Sequence, residues 1–232
     1  MEIWSESCQQ CADAPCVANC PTGASYVDQA TGTVQVDRDQ CTGCKACQIA
    51  CKDKNNLPVG VLWRRVVEIQ GGEWLRRGPA WLGNIFAYFL SSACMHCELP
   101  ICAEVCPTRA ITQRDDGIVL IDPDHCMGCR YCEMACPYKA PQFNPDLGVM
   151  TKCDFCADLI EKKKAPACVS ACQMRVLHFG NLDELRAEHG SQDDIYPLPA
   201  SDLTNPALVI TPHRDALHGR EHAARIGNWE EI

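Results

Sequence analysis

The sequence predicts an α+β fold of short strands and short helices packed around cysteine-rich loops. The 232 residues include 20 cysteines, which fall into regularly spaced sets of four. A long segment with two of these sets occurs twice along the chain, each time with a short apolar stretch that is typical of a strand. The chain has only 5 Trp, 5 Tyr and 5 Phe. We therefore expect the cysteines to supply stability that a larger apolar core would otherwise give.

The cysteines form five sets, and their spacings repeat. The first and third sets have gaps of two, four and three residues, and the second and fourth have gaps of two, two and three. The last set has gaps of two, eleven and three. In chain order the sets are Cys8, Cys11, Cys16 and Cys20; Cys41, Cys44, Cys47 and Cys51; Cys94, Cys97, Cys102 and Cys106; Cys126, Cys129, Cys132 and Cys136; and Cys153, Cys156, Cys168 and Cys172.

Residues 8–51 and 94–136 are two copies of one unit, because more than the cysteines recurs. In each copy a Pro-Thr-x-Ala stretch follows the first set, and a Cys-x-Gly-Cys turn opens the second set. Between them, residues 32–37 and 117–122 predict short β-strands that are approached through a turn. Such a repeat indicates two similar modules.

The repeated spacing is typical of 4Fe–4S ligation. A C-x2-C-x2-C loop curls around one corner of a cubane, so that three thiolates reach three irons. Gly43 and Gly128 in these loops let the backbone approach closely. The fourth cysteine begins a short helix that leads away from its own loop, and in two-cluster ferredoxins it binds the neighbouring cluster.

Two other uses of cysteine compete with this interpretation. A secreted disulfide scaffold is disfavoured, because Met1 to Cys20 lacks a basic start followed by an apolar stretch. Any single C-x2-C pair would suit a zinc knuckle equally well. Four sets with ferredoxin spacing favour iron–sulfur clusters over zinc.

Charge and hydropathy exclude further classes of protein. The formal charge of −9 is unsuited to binding nucleic acid. No apolar stretch approaches the ~20 residues that cross a bilayer, and residues 85–90 predict a buried strand instead. The sequence contains no Ser-His-Asp set, phosphate loop or dinucleotide fingerprint. We therefore expect a non-catalytic, electron-carrying chain.

Residues 34–232 resemble the iron–sulfur (B) subunit of the anaerobic dimethyl sulfoxide reductase family. The tail contributes matches at residues 179–180, 183–186, 189–190 and 197–199. The main matching motifs are Cys41-Thr-Gly-Cys-Lys-Ala-Cys47, Cys126-Met-Gly-Cys-Arg-Tyr-Cys-Glu-Met-Ala-Cys-Pro-Tyr138 and Met150-Thr-Lys-Cys-Asp-Phe-Cys156.

The resemblance implies two ferredoxin-like lobes with four 4Fe–4S clusters, and an electron relay between other redox proteins. Its expected partners are a molybdopterin-containing catalytic subunit and a membrane anchor that handles quinol. The alternatives are a subunit of a formate dehydrogenase or hydrogenase complex, or a stand-alone polyferredoxin. We expect a peripheral subunit of a membrane-associated complex, assembled in the cytoplasm and exported, if at all, with a partner that carries a twin-arginine signal.

Five segments follow from the repeat and the resemblance. We expect an N-terminal module over residues 1–52, a linker insertion over 53–93 and a second module over 94–145. The last cysteine set then completes the first lobe over 146–189. The proline-rich residues 190–232 form an extended tail that is expected to wrap a partner.

The pairing of the cysteines stays open at this point. The resemblance implies Cys136 with the loop that begins at Cys94, Cys106 with the loop at Cys126, Cys172 with the loop at Cys41, and Cys51 with the last set. The repeat instead favours Cys51 for the front set, Cys20 for the loop at Cys41, and a last set that binds one cluster alone. Either pairing gives five clusters, or four if the front set is not a cluster site.

A few other residues near the cysteines carry hypotheses. In one hypothesis His96 tunes a cluster through an N–H···S contact, but a packing or surface role is favoured, since every set already has four thiols. The basic pairs Arg64-Arg65 and Arg76-Arg77 offset cluster charge or dock a partner in one hypothesis, and are merely solvated in another. The linker, which contains Trp63, Trp74 and Trp81, is expected to pack over the clusters and exclude water, and a role at an interface is the alternative.

Overall fold

The computed structural model describes residues 25–27, 34–36, 41–83, 85–213, 215–216 and 224–231. The front set, Cys8 to Cys20, lies outside these residues. The strands are β1 (Ser25–Val27), β2 (Val34–Val36), β3 (Arg65–Gly71), β4 (Trp74–Arg77), β5 (Ala80–Gly83), β6 (Phe86–Ser92), β7 (Ile111–Gln113), β8 (Val119–Ile121), β9 (Gln142–Asn144), β10 (Val149–Thr151) and β11 (Arg225–Ile226). The helices are α1 (Ala46–Lys54), α2 (Ile101–Glu104), α3 (Tyr131–Ala135), α4 (Ala157–Ile160), α5 (Ala167–Ser170) and α6 (Leu182–His189), and residues 201–203 and 229–231 form short 3₁₀ turns. The mixture of short strands and helices agrees with the predicted α+β class.

The two copies of the sequence repeat fold alike in their hairpins. Strand β1 pairs antiparallel with β2, and β7 pairs in the same way with β8. Each hairpin precedes a cysteine loop and then a helix, which is α1 in the first copy and α3 in the second. The strands predicted within residues 32–37 and 117–122 are therefore confirmed. They arise where apolar side chains alternate next to a turn.

Strands β3 and β6 of the predicted linker insertion form a three-stranded antiparallel sheet with β11, in the order β11-β3-β6. Its inner face buries Ile69 completely and Tyr88 almost completely. Ile195 and Ile210 from the expected tail pack on this face and are buried with it. The sheet also forms the strand that the sequence predicted around residues 85–90.

The tail therefore packs on the chain itself over much of its length. Strand β11 pairs with the edge of β3. The Asn228 side chain accepts a hydrogen bond from the backbone N–H of Glu68 and donates one to the carbonyl oxygen of Val66, both in β3. Thr204 is buried to 1% exposure. These intramolecular contacts were not expected from a proline-rich, polar sequence. The wrapping of a partner by this tail stays a prediction.

The hairpin of β4 and β5 projects from the sheet. Trp74 and Trp81 on this hairpin are each 61% exposed. The expectation of packing over the clusters is therefore wrong for these two residues, and the alternative of an interface role stays a prediction. Trp63, by contrast, donates its indole N–H to the Thr151 hydroxyl at 3.2 Å, next to the last cysteine set.

Helix α6 has the clearest local determinants of the helices. The Asn181 side chain caps it by accepting from the backbone N–H groups of Asp183 and Glu184. Acidic residues in its first turn and basic ones in its last turn complement the helix dipole. Gly190 follows at a φ of 89°, where glycine is favoured. Across the described residues, no helix is both long and apolar enough to span a membrane.

Candidate metal centres

Site A joins the loop that begins at Cys41 to the end of the last cysteine set. Burial raises the pKa of the Cys41 thiol, and the nearby thiols of Cys47, Cys172 and Cys44 raise it further. Helix α1 follows the loop and packs on helix α5, which precedes Cys172. We define site A as Cys41, Cys44, Cys47 and Cys172.

Site B takes one thiol from helix α1 and three from the last set. Burial raises the pKa of Cys51 to about 11, and the charges of Cys168 and Cys156 add to this effect. The pKa of Cys153 is also raised, first by burial and then by other thiols that include Cys51. We define site B as Cys51, Cys153, Cys156 and Cys168.

Site C lies in the second copy of the repeat. The pKa of Cys102 is raised to about 12, first by burial and then by the thiols of Cys94, Cys136 and Cys97. These four thiols line one cavity with about 360 Å³ of empty space. We define site C as Cys94, Cys97, Cys102 and Cys136.

Site D is the neighbour of site C and takes its fourth thiol from the other loop. Burial raises the pKa of Cys132 to about 11, and the thiols of Cys126 and Cys129 contribute. Cys106 lines the same cavity, which holds about 290 Å³ of empty space. We define site D as Cys106, Cys126, Cys129 and Cys132. The helices α2 and α3 pack together. Helix α2 carries Cys102 of site C and leads into Cys106 of site D, and helix α3 carries Cys132 of site D and leads into Cys136 of site C.

The cysteine loops depend on left-handed backbone conformations. Gly43 and Gly128 have φ values of 70° and 69°, and the residues two positions later, Lys45 and Arg130, have 60° and 64°. A Cβ atom on Gly128 would lie 2.5 Å from the carbonyl oxygen of Gly148, and one on Gly43 would lie 2.5 Å from the Phe89 ring. Glycine is therefore required by both φ and space. Successive turns of this kind point backbone N–H groups into a concavity that suits anions.

Several thiols already receive hydrogen bonds from the protein. The Met150 N–H donates to Cys126 Sγ at 3.4 Å, and the Phe155 N–H donates to Cys153 Sγ at 3.4 Å. The pKa of Cys106 is lowered: burial opposes this shift, but bonds from the Thr108 hydroxyl and from backbone N–H groups outweigh it. Such donors favour the thiolate, which is the form that binds metal.

The four sites adjoin one another in the order A, B, C, D. Arg64 lies between sites A and B, because thiols of both sites, including Cys168 and Cys47, raise its pKa against the effect of burial. The same side chain donates to the Ser91 hydroxyl at 3.0 Å, and that hydroxyl lies 3.4 Å from Cys47 Sγ. After burial, Cys94 of site C is the largest influence that raises the pKa of Cys153 in site B.

Two buried side chains with N–H groups, Lys152 and His96, line site C. Lys152 is 4% exposed, and its ammonium donates to the carbonyl oxygens of Val119 and Cys153. His96 is 5% exposed, and burial together with the charge of Lys152 lowers its pKa to about 3. Its Nδ1 accepts from the Val119 N–H at 3.0 Å, whereas its Nε2 has no hydrogen-bond partner among the residues that the structure describes. A surface role for His96 is therefore wrong.

The donor set fits a cubane better than a single ion. In the described parts of the chain, no three Cys, His, Asp or Glu side chains are grouped closely enough for one metal ion. None of the 16 cysteines there forms a disulfide. One zinc ion draws four sulfurs into a tight tetrahedron at about 2.3 Å, whereas a cubane spreads four thiolates over four irons. The all-cysteine sites, their apolar walls and the unpartnered His96 N–H suit a sulfide-rich cluster.

These features define the class of 4Fe–4S proteins with ferredoxin-type cysteine loops. The sequence family described as the 4Fe-4S dicluster domain matches residues 1–55 and 85–182. The B subunit of the anaerobic dimethyl sulfoxide reductase of Escherichia coli (strain K12) is 46% identical over 197 residues, which cover 85% of this protein and 96% of that relative. The protein therefore belongs to the family of iron–sulfur B subunits of the anaerobic dimethyl sulfoxide reductases.

More distant relatives serve other reductases. The thiosulfate reductase electron transfer subunit PhsB of Salmonella typhi is 40% identical over 164 residues, covering 69% of this protein and 81% of that relative. The B subunit of the polysulfide reductase of Wolinella succinogenes is 37% identical over 182 residues, covering 77% of this protein and 92% of that relative.

Sequence reasoning missed the residues that form the walls of the sites. Lys152 belongs to the matching motif of residues 150–156, and its position directly before a ligand cysteine was the one signal in the sequence that could have indicated it. Thr204 gave no signal, because it lies in a polar tail far along the chain from site C. Burial raises the pKa of Cys97, while a hydrogen bond from the Thr204 hydroxyl lowers it.

Proposed function

We propose that this protein is the electron-transfer subunit of a membrane-associated reductase, and that it relays electrons through 4Fe–4S clusters. The observation that carries this proposal is the series of four adjoining all-cysteine sites, A to D. Each site offers four thiols in loops whose backbone N–H groups favour bound anions. When bound, the clusters supply reversible one-electron transfer.

The protein's own residues hold the clusters and exclude water from them. Sites A to D each use three thiols of one set and one thiol of another. The proximity of Cys41 to Cys172, and of Cys51 to Cys168, supports the pairing implied by the family resemblance over the pairing suggested by the repeat. The front set is then self-contained and holds a fifth cluster through Cys8, Cys11, Cys16 and Cys20. The two ferredoxin-like lobes and the five segments predicted from the sequence are part of this proposal.

The partners follow from the relatives. Because relatives 45–46% identical over 197 residues are B subunits of dimethyl sulfoxide reductases, we propose a molybdopterin-containing catalytic subunit of the same kind. A quinol-linked membrane anchor completes the complex, with this protein as a peripheral subunit between the two. Assembly occurs in the cytoplasm, and any export is led by the signal of the partner. The names of the relatives disfavour a formate dehydrogenase or hydrogenase partner.

The first experiment is iron, sulfide and zinc analysis of anaerobically purified protein. We expect about 20 irons and about 20 sulfides per polypeptide, which correspond to five cubanes. About 16 irons would remove the fifth cluster and leave the other four in place. Zinc with little iron would overturn the proposal altogether.

A second experiment tests the partners. The protein is tagged in its native host, purified under mild detergent, and its companions are identified by mass spectrometry. We expect a large molybdopterin-containing subunit and a small membrane subunit. A stable monomer with full electron-carrying activity would favour a stand-alone polyferredoxin instead.

A further inference from the structure

Lys152 is a buried cation that has no acidic partner among the described residues. Within that part of the chain its ammonium bonds the carbonyl oxygens of Val119 and Cys153, and no carboxylate lies within ion-pair distance of it. Burying an unpaired charge carries a large desolvation cost. The groups in this cavity that can become anions are the cysteine thiols of site C, and the charge of Lys152 acts to lower the pKa of Cys102 among them.

His96 presents an unused N–H in the same cavity. Because its Nδ1 accepts the Val119 N–H, the ring proton of the neutral imidazole sits on Nε2. That Nε2 is buried and has no hydrogen-bond partner within the described part of the chain. A buried donor is rarely left without an acceptor, and four cysteine sulfurs line the cavity that His96 also lines. The ring is held in place by an edge contact with Phe155, whose centroid is 5.2 Å away.

Site D has neither feature. The residues that line it are its cysteines with Thr108 and apolar side chains such as Ile111 and Met150, and none of them is cationic or a histidine. The basic residues next to it in sequence, Arg109, His125 and Arg130, are exposed to water. Their charges are therefore screened far more than that of Lys152.

We propose that Lys152 and His96 raise the reduction potential of a cluster at site C, so that site C is easier to reduce than the neighbouring site D. This inference rests on the proposed function, since it requires a cluster at site C. One-electron reduction adds one negative charge and neither makes nor breaks a bond. A nearby buried cation stabilises that added charge, and so does a hydrogen bond to sulfur, so both raise the reduction potential.

The test is potentiometric titration of the iron-loaded protein, followed by electron paramagnetic resonance, with Lys152→Met and His96→Leu variants. We expect Lys152→Met to lower one midpoint potential by about 59 mV or more, which is a tenfold fall in the equilibrium constant for one-electron reduction. His96→Leu lowers the same potential by a smaller amount, and His96→Gln, which keeps an N–H donor, recovers part of that loss. Lys139→Met is the matched control, because it removes an exposed lysine near Cys136, and it should shift the potential far less.

A second measurement does not depend on how the lysine variant folds. In protein labelled with ¹⁵N-histidine, pulsed electron paramagnetic resonance of the reduced clusters should show weak coupling between the electron spin and one histidine nitrogen. His96→Gln should abolish this coupling. Absence of that coupling, or unchanged potentials in Lys152→Met and His96→Leu with full iron content, would overturn the inference. An equal shift in Lys139→Met would overturn the role of burial. Unsubstituted protein without iron would instead refute the proposed function.

Discussion

Sites C and D differ in their walls although their ligands match. Both lie in the second copy of the repeat, both consist of four cysteines, and each takes one thiol from the loop of the other. Site C is lined by Lys152, His96 and Thr204, whereas site D is lined by apolar side chains and one half-buried threonine. The two sites would be equivalent if ligands alone determined a potential. The repeat therefore supplies the ligands, while residues outside it supply most of the tuning.

The largest effect should follow from removing one thiol of each site. We expect Cys102→Ala at site C and Cys129→Ala at site D each to cost up to about four irons per polypeptide or to alter the cluster there. Because the sites adjoin in one line, either change should stop electron flow between the ends of the subunit. The measurement is iron content together with quinol-linked reductase activity of the complex. Full electron flow in either variant would break the linear relay.

The backbone at Gly128 in site D should tolerate an added methyl group less well than the backbone at Gly148 does. In Gly128→Ala the new methyl group meets the Gly148 carbonyl oxygen at 2.5 Å, at a φ of 69°. We expect a loss of about 2 to 5 kcal/mol in the free energy of unfolding. Gly148→Ala is the matched control: its φ is also 69° but its Cβ would meet nothing within 4 Å, so we expect about 1 to 2 kcal/mol. Thermal unfolding of the iron-loaded protein measures both, and equal losses would contradict the crowding argument.

Arg64 extends the comparison to sites A and B. Its guanidinium lies among thiols of both sites, whereas Lys152 faces site C. We expect Arg64→Leu to lower two midpoint potentials, each by roughly 30 to 60 mV, which is a three- to tenfold change for one-electron reduction. The exposed Arg77→Leu serves as a control that removes the same charge. A single shifted potential would show that Arg64 serves only one of the sites.

The smallest effect concerns a pair of hydroxyl groups. The Thr204 hydroxyl lies 3.1 Å from the Tyr138 hydroxyl and donates to Cys97 in site C, while the Thr108 hydroxyl lies 3.6 Å from Cys106 Sγ in site D. We expect Thr204→Val to cost about 1 to 3 kcal/mol in the free energy of unfolding, because a buried hydroxyl loses its partners. Thr108→Val should cost less, about 0.5 to 1 kcal/mol, since Thr108 is only half-buried and water can reach the sulfur in place of the hydroxyl. Equal effects in thermal unfolding would mean that burial does not distinguish the two sites.

Local features of the fold were predictable from the sequence where short-range rules apply. The hairpins before the cysteine loops follow from alternating apolar residues next to a turn, and Gly43 and Gly128 follow from the need for a positive φ. The packing of Ile195 and Ile210 on the central sheet was not predictable, because the tail around them is polar and rich in proline. The exposure of Trp74 and Trp81 was not predictable either, because no local sequence feature indicates whether a two-stranded hairpin packs on the protein or extends into solvent.

The chemistry of this protein follows from its sequence alone: the cysteines, their grouping in loops, and the membership of an iron–sulfur family. Those properties depend on spacings of two to four residues, which set how a loop closes around a cluster. The tertiary structure was needed to show which distant thiol joins each loop and which side chains wall each site. Cys41 meets Cys172, and Cys97 meets Thr204, through the path by which the polypeptide returns across its own surface. That path results from the packing of the whole molecule, and no short stretch of sequence specifies it.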